Sequence, residues 1–190
     1  MLPAAVELLA AAAPVLSRWG RWYLFGAQAV TAHGAPRLSA DVDITLALEP
    51  NDVDGFVTDM TAAGFSPRFP DRAFIHATRV IPFVHLATAM PVDVVLAGSG
   101  LEDAFLSRAR PADIGGTAVP LIDVGDLIVA KVLAGRPKDV TDVGVLWRLH
   151  GHRLDEARLR EILRQLESAL GQSDLVSLFD RLVGQVSPDD

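Results

Sequence analysis

The sequence of 190 residues contains no cysteine, which excludes disulfide bonds and zinc or iron–sulfur centres held by thiolates. Lysine is nearly absent as well, because 15 of the 17 basic residues are arginine and the two lysines, Lys131 and Lys138, lie in one short stretch. The 17 basic residues are outnumbered by 24 acidic ones, which gives a formal net charge of −7. This charge disfavours a protein that binds nucleic acid through a global basic field, although it leaves room for a local basic face.

The sequence also lacks a long uninterrupted apolar segment. The N-terminal stretch Leu2–Leu16 is rich in alanine and leucine, but Glu7 and Pro14 interrupt it and no basic residue precedes Arg18. A secretory signal begins with a basic segment, and a membrane-spanning helix needs about 20 apolar residues. We therefore expect an ordinary packed helix over Pro3–Arg18, no membrane association and a cytoplasmic location.

Enough apolar material is present for a folded core. Hydrophobic residues make up 50% of the chain and charged residues 22%, which is typical of globular proteins. The length predicts one domain, or a core with a small appendage. The spacing of apolar residues predicts strands at Trp22–Gly26, Asp41–Ala47, Phe74–Arg79, Ile81–Ala87, Val92–Ala97 and Thr117–Leu121. It predicts helices at Ala27–His33, Asn51–Ala63 (capped by Asn51 or Asp52), Leu101–Ala109 and from Asp123 to about Val183.

This pattern predicts an α+β fold class. Residues 1–122 would form a core of a mixed β-sheet flanked by helices, and residues 123–190 a helical C-terminal region packed on that core. Residues 152–190 have the pattern of amphipathic helices, which we expect to pack on the core; a dimer face or a surface for a partner protein is the alternative.

Three aspartates on predicted strands are the first candidate site residues. Asp41 and Asp43 are two residues apart, so they point to one face of their strand at roughly 7 Å from each other. Asp93 is the single carboxylate of an otherwise apolar strand. Carboxylates grouped in this way suit Mg²⁺ or Mn²⁺, because these ions prefer hard oxygen ligands. The alternatives are a solvated edge strand for the first pair and, for Asp93, an exposed position near the start of its strand or an arginine partner.

Two further features suggest phosphate binding. Gly26-Ala27 joins a predicted strand to a helix, where free backbone N–H groups favour an anion, although a glycine there is also a common turn residue. Lys131 lies within the apolar stretch Leu127–Leu133 of a chain that otherwise uses arginine. A compact ammonium suits a triphosphate, whereas a lysine whose charge reaches the surface is the alternative.

The order and spacing of these residues resemble the DNA polymerase β-like nucleotidyltransferase superfamily. Its signature is an apolar strand, Gly-Gly or Gly-Ser, a short helix, Asp-x-Asp on the next strand and a third carboxylate on a later strand. Here Gly26-Ala27 is followed by 13 residues and then by Asp41-Val42-Asp43, with Asp93 in the third position. The stretches GAQAVTAHGAPRLSADVDITL and DLIVAKVLAGRPKDVTDV look like the two signatures of the minimal bacterial nucleotidyltransferases of the AbiEii and MenT toxin type.

The resemblance implies an enzyme that transfers a nucleoside monophosphate from an NTP to an acceptor hydroxyl and releases pyrophosphate. It implies Mg²⁺ or Mn²⁺ bound by Asp41, Asp43 and Asp93, with Asp93 nearer the acceptor. Catalytic roles would fall to these three residues and to Lys131. The nucleotide contacts that it implies are Gly26, Ala27, Arg37, Ser39, Lys131, Arg136, Asp139 and Asp142. Ala27 replaces the second glycine or serine of the family, which implies weaker nucleotide binding.

The resemblance also implies an RNA acceptor such as a tRNA end, and a toxin of a toxin–antitoxin or phage-defence system with a cognate antitoxin. A net charge of +3 over residues 131–164 is consistent with RNA. A protein or an antibiotic-like small molecule is the alternative acceptor, which the overall charge of −7 mildly favours. A non-catalytic relative that acts as a binding partner is the third possibility, and a homodimer is compatible with each.

Overall fold

A computed structural model describes residues 3–69, 71–98 and 100–185. Its strands are β1 (Trp22–Phe25), β2 (Val42–Leu46), β3 (Phe65–Pro67), β4 (Val80–His85), β5 (Met90–Leu96), β6 (Arg110–Ile114) and β7 (Thr117–Leu121). They form one sheet in the order β3-β4-β5-β2-β1-β7-β6. The pairs β2–β5 and β1–β7 are parallel, whereas the other neighbouring strands are antiparallel, so the sheet is mixed.

Helices separate most of the strands up to β7, except that β4 leads directly to β5 and β6 to β7, and the later helices follow one another. The helices are α1 (Pro3–Trp19), α2 (Gly26–Ala32), α3 (Val53–Ala62), α4 (Arg72–Thr78), α5 (Leu101–Arg108), α6 (Val124–Ala134), α7 (Pro137–His150), α8 (Glu156–Leu170) and α9 (Leu175–Gly184). The predicted α+β class, with a mixed sheet, flanking helices and a helical C-terminal third, is confirmed. Residues 186–190 of the predicted amphipathic region lie outside the described residues. Among the helices described, none has the length and apolar character needed to cross a membrane.

The central strands of the sheet bury one of their two faces. Ile44 of β2 and Val94 of β5 are register partners on this face, and neither is exposed to solvent. Phe83 of β4 lies on the same face and packs edge-on against Phe56 of α3, with ring centroids 6.0 Å apart. Because side chains alternate between the two faces of a strand, the residues next to Ile44 and Val94 point to the other face.

The chain folds as two compact units. One consists of the residues up to Ala32 together with Pro36–Ile122, and it contains the whole sheet. The other consists of His33–Ala35 with the residues from Asp123 onward. The core of this helical unit is made of side chains from α6 to α9 that are fully buried: Leu127, Ile128, Val143, Leu146, Leu159, Leu163 and Phe179.

The predicted strand at Phe74–Arg79 is wrong, because this segment belongs to helix α4. The Asp71 side chain accepts a hydrogen bond from the Ala73 backbone N–H and caps the helix N-terminus. Arg79 adopts a left-handed conformation with φ of 56°, and its N–H donates to the carbonyl of Ile75 to close the last turn. These local hydrogen bonds select the helix although the residues themselves have strand-like spacing.

Two strands were not predicted, and both lie at the edges of the sheet. β3 has three residues and contains Pro67, whereas β6 contains Pro111 and is mostly exposed. Short or mostly exposed edge strands carry little of the apolar alternation by which the central strands were identified.

We expect Phe83→Ala to lower the free energy of unfolding by about 3–5 kcal/mol, because it leaves a cavity beneath Phe56 in the core. Leu86→Ala, at a position that is 64% exposed on the following turn, should change it by no more than about 0.5 kcal/mol. Urea unfolding of both variants measures the difference, and similar losses would contradict this description of the core.

Candidate active site

Two aspartates lie side by side on neighbouring strands. Asp43 of β2 and Asp93 of β5 are register partners in the parallel pair. Register partners point to the same face, so both carboxylates lie on the face opposite Ile44 and Val94. Both residues are half-buried, and the Asp93 side chain is 34% exposed. The sheet thus brings together two of the three carboxylates that the sequence predicts to act jointly.

The third aspartate, Asp41, belongs to the loop between α2 and β2. Ser39 Oγ donates to Asp41 Oδ1 over 2.5 Å, and Gln28 Nε2 donates to the Asp41 backbone oxygen over 3.2 Å. The carbonyl of Arg37 accepts a hydrogen bond of 3.2 Å from Thr31 Oγ1. These contacts attach the predicted site residues Arg37, Ser39 and Asp41 to helix α2, so the position of the loop depends on that helix.

The donor chemistry of the aspartate pair fits a divalent cation. Asp43 and Asp93 present carboxylate oxygens, the ligands that Mg²⁺ and Mn²⁺ prefer, on one half-buried face. In the part of the chain that the structure describes, however, no group of three or more His, Cys, Asp or Glu side chains is arranged to hold a metal ion. The three-carboxylate metal site therefore stays a prediction, and Asp43 with Asp93 is the portion that the fold places together.

Gly26, the first residue of α2, lies against Asp43. Its φ is +67°, in the left-handed region that residues with a Cβ atom rarely adopt. A Cβ atom at this position would overlap the Asp43 carboxylate. Both facts require glycine here, because the chain must turn from β1 into α2 while passing directly beside the carboxylate. The side chain of the next residue, Ala27, is buried.

One residue of this site was missed by the sequence analysis. The guanidinium of Arg68 forms an ion pair with the Asp93 carboxylate, and each side chain is about one third exposed (35% and 34%). Arg68 follows the short edge strand β3, which the sequence pattern does not reveal. It is 25 residues from Asp93 in the chain, so no local signal predicts the contact.

Four predicted residues of the second signature form a cluster of ion pairs inside the helical unit. Lys131 Nζ of α6 lies 2.8 Å from Asp139 Oδ1 and 2.8 Å from Asp142 Oδ2, both of α7. None of these three side chains is more than 7% exposed. Arg136 Nε donates to Asp139 Oδ2 over 2.5 Å, although its side chain is 59% exposed. Lys131 is therefore buried between two carboxylates rather than extended to the surface.

The cluster affects the protonation of Asp139. Burial by itself would raise the pKa of this carboxyl, but hydrogen bonds from Arg136 and Lys131 and the positive charges of both bring its pKa below the ordinary value. The charged form is thus favoured by folding. The resulting stability is complete above the pKa of an unfolded aspartate, about 4, and is lost as the pH falls through the lower folded-state pKa.

A second ion-pair group ties α8 to the start of α6. Arg158 Nη1 donates to Asp126 Oδ1 over 2.9 Å, and Arg158 Nη2 donates to Asp123 Oδ1 over 3.2 Å. Asp123 also accepts from the backbone N–H groups of Gly125 and Asp126, so it caps α6. The Asp126 side chain is fully buried, and its pairing with Arg158 satisfies a charge that would otherwise be costly there.

No protein-family model matches the sequence, and no curated protein is detectably similar to it. Solved structures are similar in fold. The antibiotic-resistance factor ANT(2″)-Ia in solution matches with a TM-score of 0.54 and 16% identity, over 88% of this chain and 93% of the other. JHP933 from Helicobacter pylori matches with a TM-score of 0.53 and 12% identity, over 95% and 88%.

A crystal structure of ANT(2″)-Ia in complex with adenylyl-2″-tobramycin matches with a TM-score of 0.50 and 14% identity, over 96% of this chain and 99% of the other. At such identities the likeness is one of fold, and it extends over nearly the full length of both chains. The sheet and its flanking helices therefore have the same fold as ANT(2″)-Ia. Whether the chain is of the AbiEii and MenT type remains a prediction.

We expect Gly26→Ala to destabilise the protein more than Gly64→Ala does. Both glycines have positive φ, so each alanine is strained by about 1–2 kcal/mol. A Cβ atom at position 64 meets nothing within 4 Å, whereas one at position 26 overlaps the Asp43 carboxylate. Urea unfolding measures both losses, and equal losses would show that Gly26 is required for its backbone conformation alone.

We expect Lys131→Met to lower the free energy of unfolding by about 3–5 kcal/mol, because it leaves two buried carboxylates without their shared cation. Lys138→Met is the matched control, since Lys138 is exposed and is the only other lysine. Chemical unfolding at pH 7 measures the effect. The deficit of the Lys131 variant should shrink below about pH 4, where protonation of Asp139 removes the negative charge that Lys131 stabilises; a deficit independent of pH would contradict the ion-pair explanation.

Proposed function

We propose that this protein is a metal-dependent nucleotidyltransferase, which transfers a nucleoside monophosphate from an NTP to an acceptor hydroxyl and releases pyrophosphate. The observation that carries the proposal is the pairing of Asp43 with Asp93 on adjacent parallel strands, next to a glycine that leaves room beside Asp43. The shared fold with ANT(2″)-Ia supports it.

Asp43 and Asp93, with Asp41 from the neighbouring loop, would hold Mg²⁺ or Mn²⁺ in this proposal. The bound ions would supply neutralisation of the triphosphate charge and a lower pKa for the acceptor hydroxyl. A carboxylate oxygen of Asp93, the residue assigned to the acceptor side, would accept the proton of that hydroxyl. The Arg37 guanidinium and the backbone N–H groups at Gly26 and Ala27 would donate to phosphate oxygens.

The second signature divides into two roles in this proposal. Arg136 has the exposed side chain of the cluster, so it is the group best suited to donate to a phosphate oxygen. Asp139 would orient its guanidinium, and Lys131, which Asp142 holds in position, would keep Asp139 charged and in place. The prediction that Lys131 itself contacts the triphosphate would require its ammonium to leave two carboxylates at 2.8 Å.

Two kinds of acceptor are candidates in this proposal, RNA and an antibiotic-like small molecule. The resemblance to the AbiEii and MenT type supports RNA, with a toxin function and a cognate antitoxin. The likeness to ANT(2″)-Ia, whose structure holds a tobramycin bearing an adenylyl group, supports an antibiotic-like small molecule. We retain the RNA-modifying toxin as the first candidate, because two sequence signatures support it whereas the likeness to ANT(2″)-Ia is one of fold.

Transfer of α-labelled NTPs in the presence of Mg²⁺ tests both candidates. We expect the wild-type protein to label a component of a whole-cell extract, or added tobramycin, and Asp43→Asn to reduce the rate by about 100-fold or more through loss of a metal ligand. Asp52→Asn is the control, because Asp52 is an exposed aspartate whose side chain does not cap α3.

The fate of the label identifies the acceptor. Label that ribonuclease removes indicates RNA, label that only protease removes indicates a protein, and labelled tobramycin indicates a small-molecule acceptor. Full transfer by Asp43→Asn, or no transfer by the wild-type protein to any of these acceptors with any of the four NTPs, would contradict the proposed function.

A further inference from the structure

Asp93 already has a cation beside it, the guanidinium of Arg68. The two side chains form an ion pair, and each is about one third exposed. The Asp93 carboxylate therefore has two possible cationic partners, which are the Arg68 guanidinium and a metal ion. Which of them it contacts depends on their relative affinities, so Arg68 bears directly on how tightly a metal ion binds.

The sheet directs Arg68 to this position. The Arg68 N–H donates to the carbonyl of Pro82 over 2.8 Å, which continues the pairing of β3 with β4 by one residue. Pro82 is in turn the register partner of Asp93 on β5. Arg68, directly after β3, therefore forms one row with Pro82, Asp93 and Asp43 of the neighbouring strands β4, β5 and β2. We call these four residues the transverse row.

The arginine side chain spans the strand between it and its partner. Arg68 and Asp93 are separated by two strand spacings, which amounts to about 10 Å between their backbones. Pro82, which stands between them, has a short ring and no charge, so the long arginine side chain reaches Asp93 without a competing group on β4. The contact is thus a consequence of strand order and of the small residue in the middle.

The charges of the transverse row explain why a cation is needed there. Asp43 and Asp93 are adjacent on one half-buried face, where two like charges repel one another. A positive group beside Asp93 relieves this repulsion, and either a guanidinium or a divalent ion does so. Arg68 contacts Oδ1 of Asp93, so a metal ion that binds this oxygen competes directly with the guanidinium.

We propose that Arg68 is the resident counter-ion of Asp93, which a divalent cation must displace, and that it thereby sets the metal affinity of the site. This inference rests on the proposed function, since it assumes a metal ion at Asp93. Arg68 is a positioning residue in this scheme: it holds the carboxylate in the absence of metal and releases it when the metal binds. Both side chains are partly exposed, so water can solvate Arg68 after a metal ion has replaced it, and no unpaired charge is left in the core.

Calorimetric titration of the protein with Mn²⁺, without nucleotide, tests the inference. We expect Arg68→Gln to bind Mn²⁺ about fivefold more tightly than the wild-type protein, an effect of the size that a partly exposed ion pair supports. Arg68→Lys retains the charge and should stay close to wild type. Arg72→Gln is the matched control, because it removes an arginine that pairs with Asp54 and lies outside the transverse row.

A double variant separates competition at Asp93 from a general change in charge. If Arg68 acts through Asp93, Arg68→Gln should not tighten Mn²⁺ binding when Asp93→Asn is also present. The gain from Arg68→Gln should also decline at high ionic strength, since salt screens the ion pair. An equal gain in Arg72→Gln, or a gain that survives in the double variant, would overturn the inference.

The outcomes also distinguish this inference from the proposed function. If the wild-type protein binds Mn²⁺, Asp43→Asn abolishes the binding and Arg68→Gln leaves it unchanged, the counter-ion role is wrong and the metal site stands. If neither the wild-type protein nor Arg68→Gln binds Mn²⁺, both proposals fail. If only Arg68→Gln binds, the competition is strong and both proposals are supported.

Discussion

The parallel pairing of β2 with β5 is the constraint on which the candidate site depends. It sets Asp43 beside Asp93 at one strand spacing, about 4.8 Å between backbones, on the half-buried face. The register of this pair is determined by the opposite face, where Ile44 and Val94 are fully buried. A shift of one residue in either strand would turn the aspartate of that strand into the core, and the desolvation of its charge excludes that alternative.

The surroundings of the two aspartates follow from this pairing. A carboxylate at position 43 occupies the space next to the end of β1, so the residue that turns the chain there must be glycine. A second carboxylate on the neighbouring strand creates repulsion, which an arginine two strands away relieves. Gly26 and Arg68 come from different parts of the chain, yet the same pair of negative charges explains both.

The ion pairs of Lys131 in the helical unit are buried, unlike the ion pair of Asp93. Lys131, Asp139 and Asp142 are almost completely buried, so none can lose its partner without leaving a charge inside the protein. The ion pair of Asp93 is partly exposed, and water can solvate either group when they separate. A buried pair therefore suits a structural task, whereas a partly exposed pair suits a site at which one cation replaces another.

Much of the fold was predictable because it depends on local pattern. The alternation in β2, the apolar run of β5 and the boundary at Asp123, whose side chain caps α6, are all encoded within a few neighbouring residues. The helix at Arg72–Thr78 was not predictable in this way, because hydrogen bonds at its two ends outweigh a strand-like spacing. The edge strands were missed because β3 has only three residues and β6 is mostly exposed, so neither shows a clear apolar alternation.

The sequence by itself determined which residues are candidates for the chemistry: the three aspartates, the glycine that follows β1 and Lys131. Only the tertiary structure decided which of these meet. It joined Asp43 to Asp93, placed Arg68 against Asp93 and enclosed Lys131 between two carboxylates. The physical reason is that periodicity depends on neighbours in the chain, whereas strand order and helix packing depend on the burial of apolar faces contributed by distant segments.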